Sequence, residues 1–261
     1  MSKLKTESEH LEYLQSMIRL SLWFTAYWKN GHLDESIKDI IERRTLLINH
    51  TTFNDNPTYD NIKCSRPEEL ESMFNLITAE YETGIDPVEF ECNAMKLLMA
   101  FINGRVASDM QEINATVINL PIEAPSIFAY NLDSKEDLLT FHLINTVYPV
   151  SFLNYPELFD RHLRTMVADA EKAGFKGIDC VSWLNSSERF YDCFPKSWKA
   201  SEAPAWDQYW EGDLGLWGQF LTANGSFNSK IAEEFRATGK VKYNMTECGS
   251  TISEFKEFLK I

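Results

Sequence analysis

Apolar residues in this chain change their period near residue 112, and the change demands two kinds of architecture in one polypeptide. Before it, Ile37, Ile40, Ile41, Leu47 and Ile48 share one helical stripe and Leu70, Met73, Phe74, Ile77 and Tyr81 share another. A helix over 8–29 has apolar positions that almost encircle it beyond Met17, and one after Asp86 carries Val88, Cys92, Met95, Met99, Ile102 and Val106. Ser65 to Glu68 and Asp86 to Glu89 set a capping side chain three residues before a carboxylate. Residues 1–112 therefore read as a helical bundle.

After the change, 126–132 and 138–147 are rich in β-branched and aromatic residues and read as strands. A helix opening at Asn154 to Glu157 and ending at Gly174 leads to a strand over 178–183. Strand, helix and strand at this spacing imply a right-handed parallel crossover. Further on we expect a strand near 214–221, a helix over 227–237 closed by Gly239, a short strand near 241–247 and a last helix capped by Thr251 and Glu254. The fold class is α+β: an N-terminal helical bundle, 1–112, packed on a C-terminal mixed α/β sheet unit, 113–261.

The formal charge of −14 leaves too few clustered cations for phosphate backbones, so no nucleic acid is expected as a partner. The stretch from Met17 to Trp28 contains Arg19 and is too short to cross a bilayer, so no membrane is expected either. The polar first ten residues lack a signal-peptide pattern, and Cys64, Cys92, Cys180, Cys193 and Cys248 form no CxxC pair. A cytoplasmic protein with reduced thiols is the expectation.

Five of the seven tryptophans, Trp183, Trp198, Trp206, Trp210 and Trp217, fall within 35 residues, interleaved with Ser182, Asn185, Arg189, Asp207, Asp213 and Gln219. Rigid aromatic area among orienting polar groups suits a small-molecule pocket or a protein-partner surface. The plainer alternative is that the rings fill the core. His142, inside a strand and able to titrate near neutrality, is the catalytic candidate, against the plainer role of a structural histidine. Alternation puts it with Thr140 and Ile144, and Asn145 on the other face.

Trp183, Asn185, Trp217 and Gln219 are the substrate-binding candidates, Asn185 because it follows a strand whose C-terminal end is a common ligand crevice. Arg44 joins them as an arginine facing an anionic ligand. It and Glu91 each fall on an apolar helix stripe, where they pair with one another or reach solvent along their stems. Glu7 to His10 matches one Glu-x-x-His unit, whereas di-iron bundles need two, so no metal is expected. Nor does any Walker loop, GxGxxG or HExxH occur.

The segments Ser182 to Ser186, Phe194 to Trp198, Trp217 to Phe220 and Phe235 to Gly239, with His142 and Asn145, resemble an uncharacterised bacterial family associated with specialised metabolism. The order of strand, helix through Ala170 to Phe175, strand, then Asn185 leading to Phe190 and Tyr191, resembles the later half of Gcn5-type N-acyltransferases. That resemblance implies an acyl-CoA donor beside the asparagine and tyrosine region. The family's glycine-rich pyrophosphate loop has no counterpart in Tyr148 to Pro156, which lacks glycine and carries two prolines without N–H groups. The residues by themselves call for no cofactor. The reading is an enzyme acting on a small polar metabolite by a non-redox reaction, with acyl or other group transfer as its concrete version. The alternative is a non-catalytic, complex-forming subunit that uses the tryptophan-rich surface.

Overall fold

The computed structural model describes residues 5–55, 63–115, 124–205 and 214–261. In chain order the helices of the first half are α1 (Glu7–Gly31), α2 (Ile37–Arg44), α3 (Pro67–Ala79) and α4 (Pro87–Ala115). There follow β1 (Phe128–Tyr130), β2 (Leu138–Leu143), α5 (Pro156–Ala173), β3 (Gly177–Ser182), α6 (Glu188–Tyr191), α7 (Lys196–Ala200) and β4 (Ala203–Pro204). The last elements are α8 (Leu214–Trp217), α9 (Ser229–Thr238), β5 (Thr246–Thr251) and α10 (Ile252–Leu259). They form two compact units, Met1–Thr116 with Tyr209–Lys242, and Val117–Gln208 with Tyr243–Ile261.

In the first unit α1 is the central element. Thr6 and Glu9 close a reciprocal capping box at its start. From Met17 to Trp28 nearly every side chain is buried, as a helix apolar on all sides requires. Its two buried hydroxyls are satisfied within the helix, Ser21 donating to Met17 O at 2.9 Å and Thr25 to Ser21 O at 2.8 Å. Ile37 and Ile41 of α2, Met73, Phe74 and Ile77 of α3, and Phe90, Ala94, Leu98, Ile102 and Val106 of α4 complete one core with α1.

One segment departs from the expected division at residue 112. Tyr209–Lys242 belongs with the helices, because its apolar groups are used there. Phe235 of α9 lies edge-on to Trp23 at 5.5 Å, Trp217 lies edge-on to Phe24 at 6.0 Å, and the Trp217 indole donates to Arg44 O at 3.0 Å. The strand expected near 214–221 is instead α8 and a 3-10 turn at Gly218–Phe220. Leu216, Trp217 and Phe220 are buried at a spacing of one helical turn, which serves a turn better than an alternating strand. Gly239 ends α9 at φ +66°, and a Cβ there would come within 1.9 Å of the Tyr27 hydroxyl oxygen.

The second unit is a five-stranded mixed sheet of order β1-β2-β3-β5-β4. β2 and β3 are parallel, joined by α5 as the strand-helix-strand spacing implies, and the other pairs are antiparallel. Leu139, Phe141, Ile178, Cys180 and Cys248 face a core made with Phe159, Leu163, Met166, Val167 and Ala170 of α5 and Ile252, Phe255 and Leu259 of α10. Each large apolar side chain there contributes about 1.5–3 kcal/mol by leaving water. β2 stops at Leu143 rather than 147, and the strand expected at 241–247 lies at Thr246–Thr251, whose inward residues are small and polar and therefore weakly patterned.

Serine hydroxyls bond unpaired strand backbone at two places, on the edge strand β1 and on β5 beyond its two-residue partner β4. Ser126 Oγ bonds the N–H and carbonyl of Phe128, and Ser201 Oγ bonds the N–H and carbonyl of Gly249. A side chain thus stands in for the missing strand, and less edge is left to pair with another chain. No helix among the described residues is long and apolar enough to cross a membrane.

Candidate functional site

The residues singled out from sequence separate into structural and exposed groups. Asn185 is fully buried, donating to Cys180 O at 2.9 Å and Thr246 O at 2.8 Å and accepting from the Trp198 indole at 3.2 Å. With both amide hydrogens and its carbonyl oxygen engaged, it ties β3 to β5 and has no donor left for a ligand. Gln219 is buried and donates to Leu216 O at 3.0 Å. Trp198 and Trp217 are core residues, and half-buried Trp183 stacks on Tyr243 at 5.7 Å. Trp206 and Trp210 lie outside the described residues. Trp198 and Trp217 therefore fill the core, while Trp183 does not belong to it.

Arg44 and Glu91 do not pair with each other. Arg44 Nε meets Glu35 Oε1 at 2.8 Å, and its guanidinium lies 4.6 Å over the Trp28 ring. Glu91, buried in α4, instead joins Arg19 at 3.3 Å and Arg236 at 2.5 Å, which ties α1 and α9 to α4. The stripe positions were read correctly as needing partners, but sequence alone did not reveal which partners. His142 is exposed on the outer face of β2, opposite Ala129 of β1. Asn185 faces inward to the core, so these two do not converge.

A buried polar network that sequence reading missed lies in the helical unit. His10 Nε2 meets Asp109 Oδ2 at 2.8 Å, and Arg105 Nε makes an ionic contact with Asp109 Oδ1 at 2.7 Å. Arg105 also donates to Asn54 O at 2.9 Å. His50 Nδ1 lies 2.8 Å from Leu46 O, which only accepts, so the proton sits on Nδ1 and Nε2 accepts the Tyr13 hydroxyl at 2.9 Å. Burial pushes the His50 imidazole down to about 4. Burial also pulls the Lys5 ammonium down to about 8 against Glu9 and Asp109, and Lys5 sits 3.9 Å over the Tyr13 ring. Within this network His10 Nδ1 is buried without a hydrogen-bond partner. His10 was visible as part of a Glu-x-x-His unit; its partner Asp109, 99 residues away, was not.

The second unit holds an open depression of about 550 Å³ on the outer face of its sheet, lined by Leu138, Asp179, Ser197, Ala203, Glu247 and Gly249 among others. Asp179 stands on β3, the middle strand, between Thr140 of β2 and Gly249 of β5. Its Oδ1 has neither a hydrogen-bond partner nor contact with solvent. The strands are closely packed around it at Gly249 and Gly177. A Cβ on Gly249 would lie 3.3 Å from the Asp179 Cβ, and one on Gly177 would lie 2.7 Å from Ser250 O. Glycine inside a strand marks a place where another group approaches the backbone closely.

The other polar groups of the lining are occupied. Ser197 and Ser250 hydroxyls bond each other at 2.9 Å, Lys176 meets Asp137 at 2.7 Å, and Glu254 accepts the Thr251 N–H and O–H at 2.8 Å each. Those bonds, the backbone one first, hold the Glu254 carboxyl below the usual carboxylate range. The sequence signal for this site is an acidic residue set among Ile178, Cys180 and Val181, flanked by glycines at 177 and 249. Among the described residues no group of three His, Cys, Asp or Glu is arranged to hold a metal ion.

No protein-family model matches the chain, and neither the curated proteins nor the solved structures contain a match to it.

Proposed function

We propose that this chain binds a small polar molecule in the depression on the sheet of its second unit and acts on it by non-redox chemistry, with Asp179 as the group that meets it. The observation that carries the reading is the Asp179 carboxylate, held on a central strand with a shielded, unpartnered oxygen. The negative charge of Asp179 in the lining of the depression favours a ligand that brings a hydrogen-bond donor to the carboxylate. A carboxylate in that lining suits two tasks, fixing a donor group of the substrate and accepting a proton from it. Group transfer to such a substrate is the concrete form of the reaction.

The site differs from the one expected around the tryptophans. Trp198, Trp217, Asn185 and Gln219 are interior groups, which withdraws support from an aromatic pocket or partner surface built on them. Five unbridged cysteines support a reducing, cytosolic setting. The test is a thermal-shift screen of wild type and Asp179→Asn against amino acids, amines, phosphorylated and sulfated metabolites and acyl-CoAs. At least one class should raise the melting temperature of wild type and not of the variant. A screen in which every stabilising compound works equally on both proteins would overturn the reading.

A further inference from the structure

We infer that Cys180 and Cys248 form a redox pair, which hydrogen peroxide joins in a reversible cross-strand disulfide that clamps β3 to β5 at the middle of the sheet. The inference stands apart from the function proposed above, since it uses neither Asp179 as a binding group nor any occupant of the depression.

The register of the sheet sets the two cysteines directly opposite each other on antiparallel strands. Both are free, and both face the core that the sheet makes with α5 and α10, each with 1% of its surface exposed. Backbone bonding fixes the kind of pair they make. Ile252 N donates to Lys176 O, and the N–H and carbonyl of Gly249 turn away from β3 to Ser201. Alternation along the ladder therefore makes Cys180 and Cys248 a hydrogen-bonded pair, with Cα atoms about 5.5 Å apart. That separation lies within the span of a disulfide, while the Cβ atoms of such a pair must draw together by about 1 Å. The bond is thus within reach of the folded sheet and strained once made, so a thiol reductant opens it readily. It joins the strands at the junction that Asn185 spans, where oxidation stiffens the middle of the sheet.

The two thiols differ in access. Cys248 borders the open depression and Cys180 does not. Burial pushes both thiols up, Cys248 to about 11, with the charges of Glu202, Lys199 and Glu247 also acting on it. Cys180 is pushed up further, by burial, by Asp179 and by Cys248 itself. Cys248 is therefore the attacking thiol and Cys180 the resolving one, and a water-sized oxidant suits sulfurs so nearly closed off. The Cys248 thiolate attacks hydrogen peroxide, becomes a sulfenic acid and releases hydroxide. The Cys180 thiolate then attacks that sulfur, the S–S bond forms and the second oxygen leaves as hydroxide. The two thiol protons convert both hydroxides to water, so the sulfurs lose the two electrons that the peroxide gains.

The test treats the full chain with hydrogen peroxide, alkylates the remaining thiols in urea with N-ethylmaleimide and reads the unreduced digest by mass spectrometry. We expect a peptide joining Cys180 to Cys248 that disappears with dithiothreitol and forms several-fold less when the chain is oxidised in urea. Its rate should rise about tenfold per pH unit between about pH 7 and 9, as the Cys248 thiolate fraction does. Cys180→Ser should leave Cys248 as a sulfenic acid that dimedone traps, and Cys248→Ser should leave Cys180 unoxidised. The wild-type map carries the test by itself if either variant does not fold. Recovery of Cys180 and Cys248 as alkylated thiols, linkage of either to Cys193 instead, or equal yield in urea would overturn the pair. So would a rate that levels off above about pH 8.5, the range of an exposed thiol, because the sulfur would then react only from parted strands.

Discussion

The polar network of the helical unit and the depression on the sheet contain similar groups in opposite circumstances. Asp109 is enclosed and flanked by His10 and Arg105, while Asp179 is set in an open hollow with no partner. A buried charge that is paired belongs to the fold, since its partners are stranded if it is removed. An unpaired carboxylate beside open space contributes nothing comparable to folding. On the function proposed above, the first region serves stability and the second serves binding.

The largest effect should come from Asp109→Ala. Removing the shared acceptor leaves a buried guanidinium and imidazole uncompensated, and we expect a loss of about 3–5 kcal/mol in urea unfolding. A loss below about 1 kcal/mol would mean that the network is dispensable to the fold.

Next in size is the acid limb of stability. The folded imidazole of His50 is pushed down to about 4, below its unfolded value near 6.5. As pH falls through 6.5 the unfolded chain takes up a proton that the folded chain refuses, so stability is lost between about 6.5 and 4 and stays level below. The total is about 3 kcal/mol. Comparing unfolding of wild type and His50→Gln at pH 7 and pH 4 isolates it; an unchanged difference between the two proteins would contradict a neutral buried His50.

Asn185→Leu removes three hydrogen bonds from the β3 and β5 junction and should cost about 2–4 kcal/mol in the same assay, with the ligand-free depression otherwise intact. A ligand site at Asn185 would instead show as lost binding at nearly unchanged stability. The smallest effect belongs to His142→Ala, exposed on β2, with a change within about 0.5 kcal/mol and no change in ligand affinity. Loss of binding in that variant would restore the histidine as part of the site.

Where periodicity is strong, the fold was legible from residues alone. The encircled apolar surface of α1, the alternation of Leu139 and Phe141, the Gly174 and Gly239 helix ends and the parallel β2 and β3 pair all follow from local pattern. β5 was displaced because Thr246, Cys248 and Ser250 bury small side chains that leave no hydrophobic signature. The helix at Trp217 was hidden because four residues rich in apolar groups look alike as a turn or a strand. Functional residues were harder to read, since their meaning lies in partners. Arg44 and Glu91 needed Glu35, Arg19 and Arg236; Asn185 needed two carbonyls and an indole; Asp179 stands out because no hydrogen-bond donor reaches its Oδ1.

The most direct test of the contrast is equilibrium urea unfolding of Asp179→Asn beside wild type without ligand, followed by the same pair with the best ligand from the screen. The account expects unfolding free energies within about 1 kcal/mol of each other without ligand, and ligand stabilisation in wild type alone. A ligand-free loss as large as that of Asp109→Ala, or equal stabilisation of both proteins by the ligand, would contradict it.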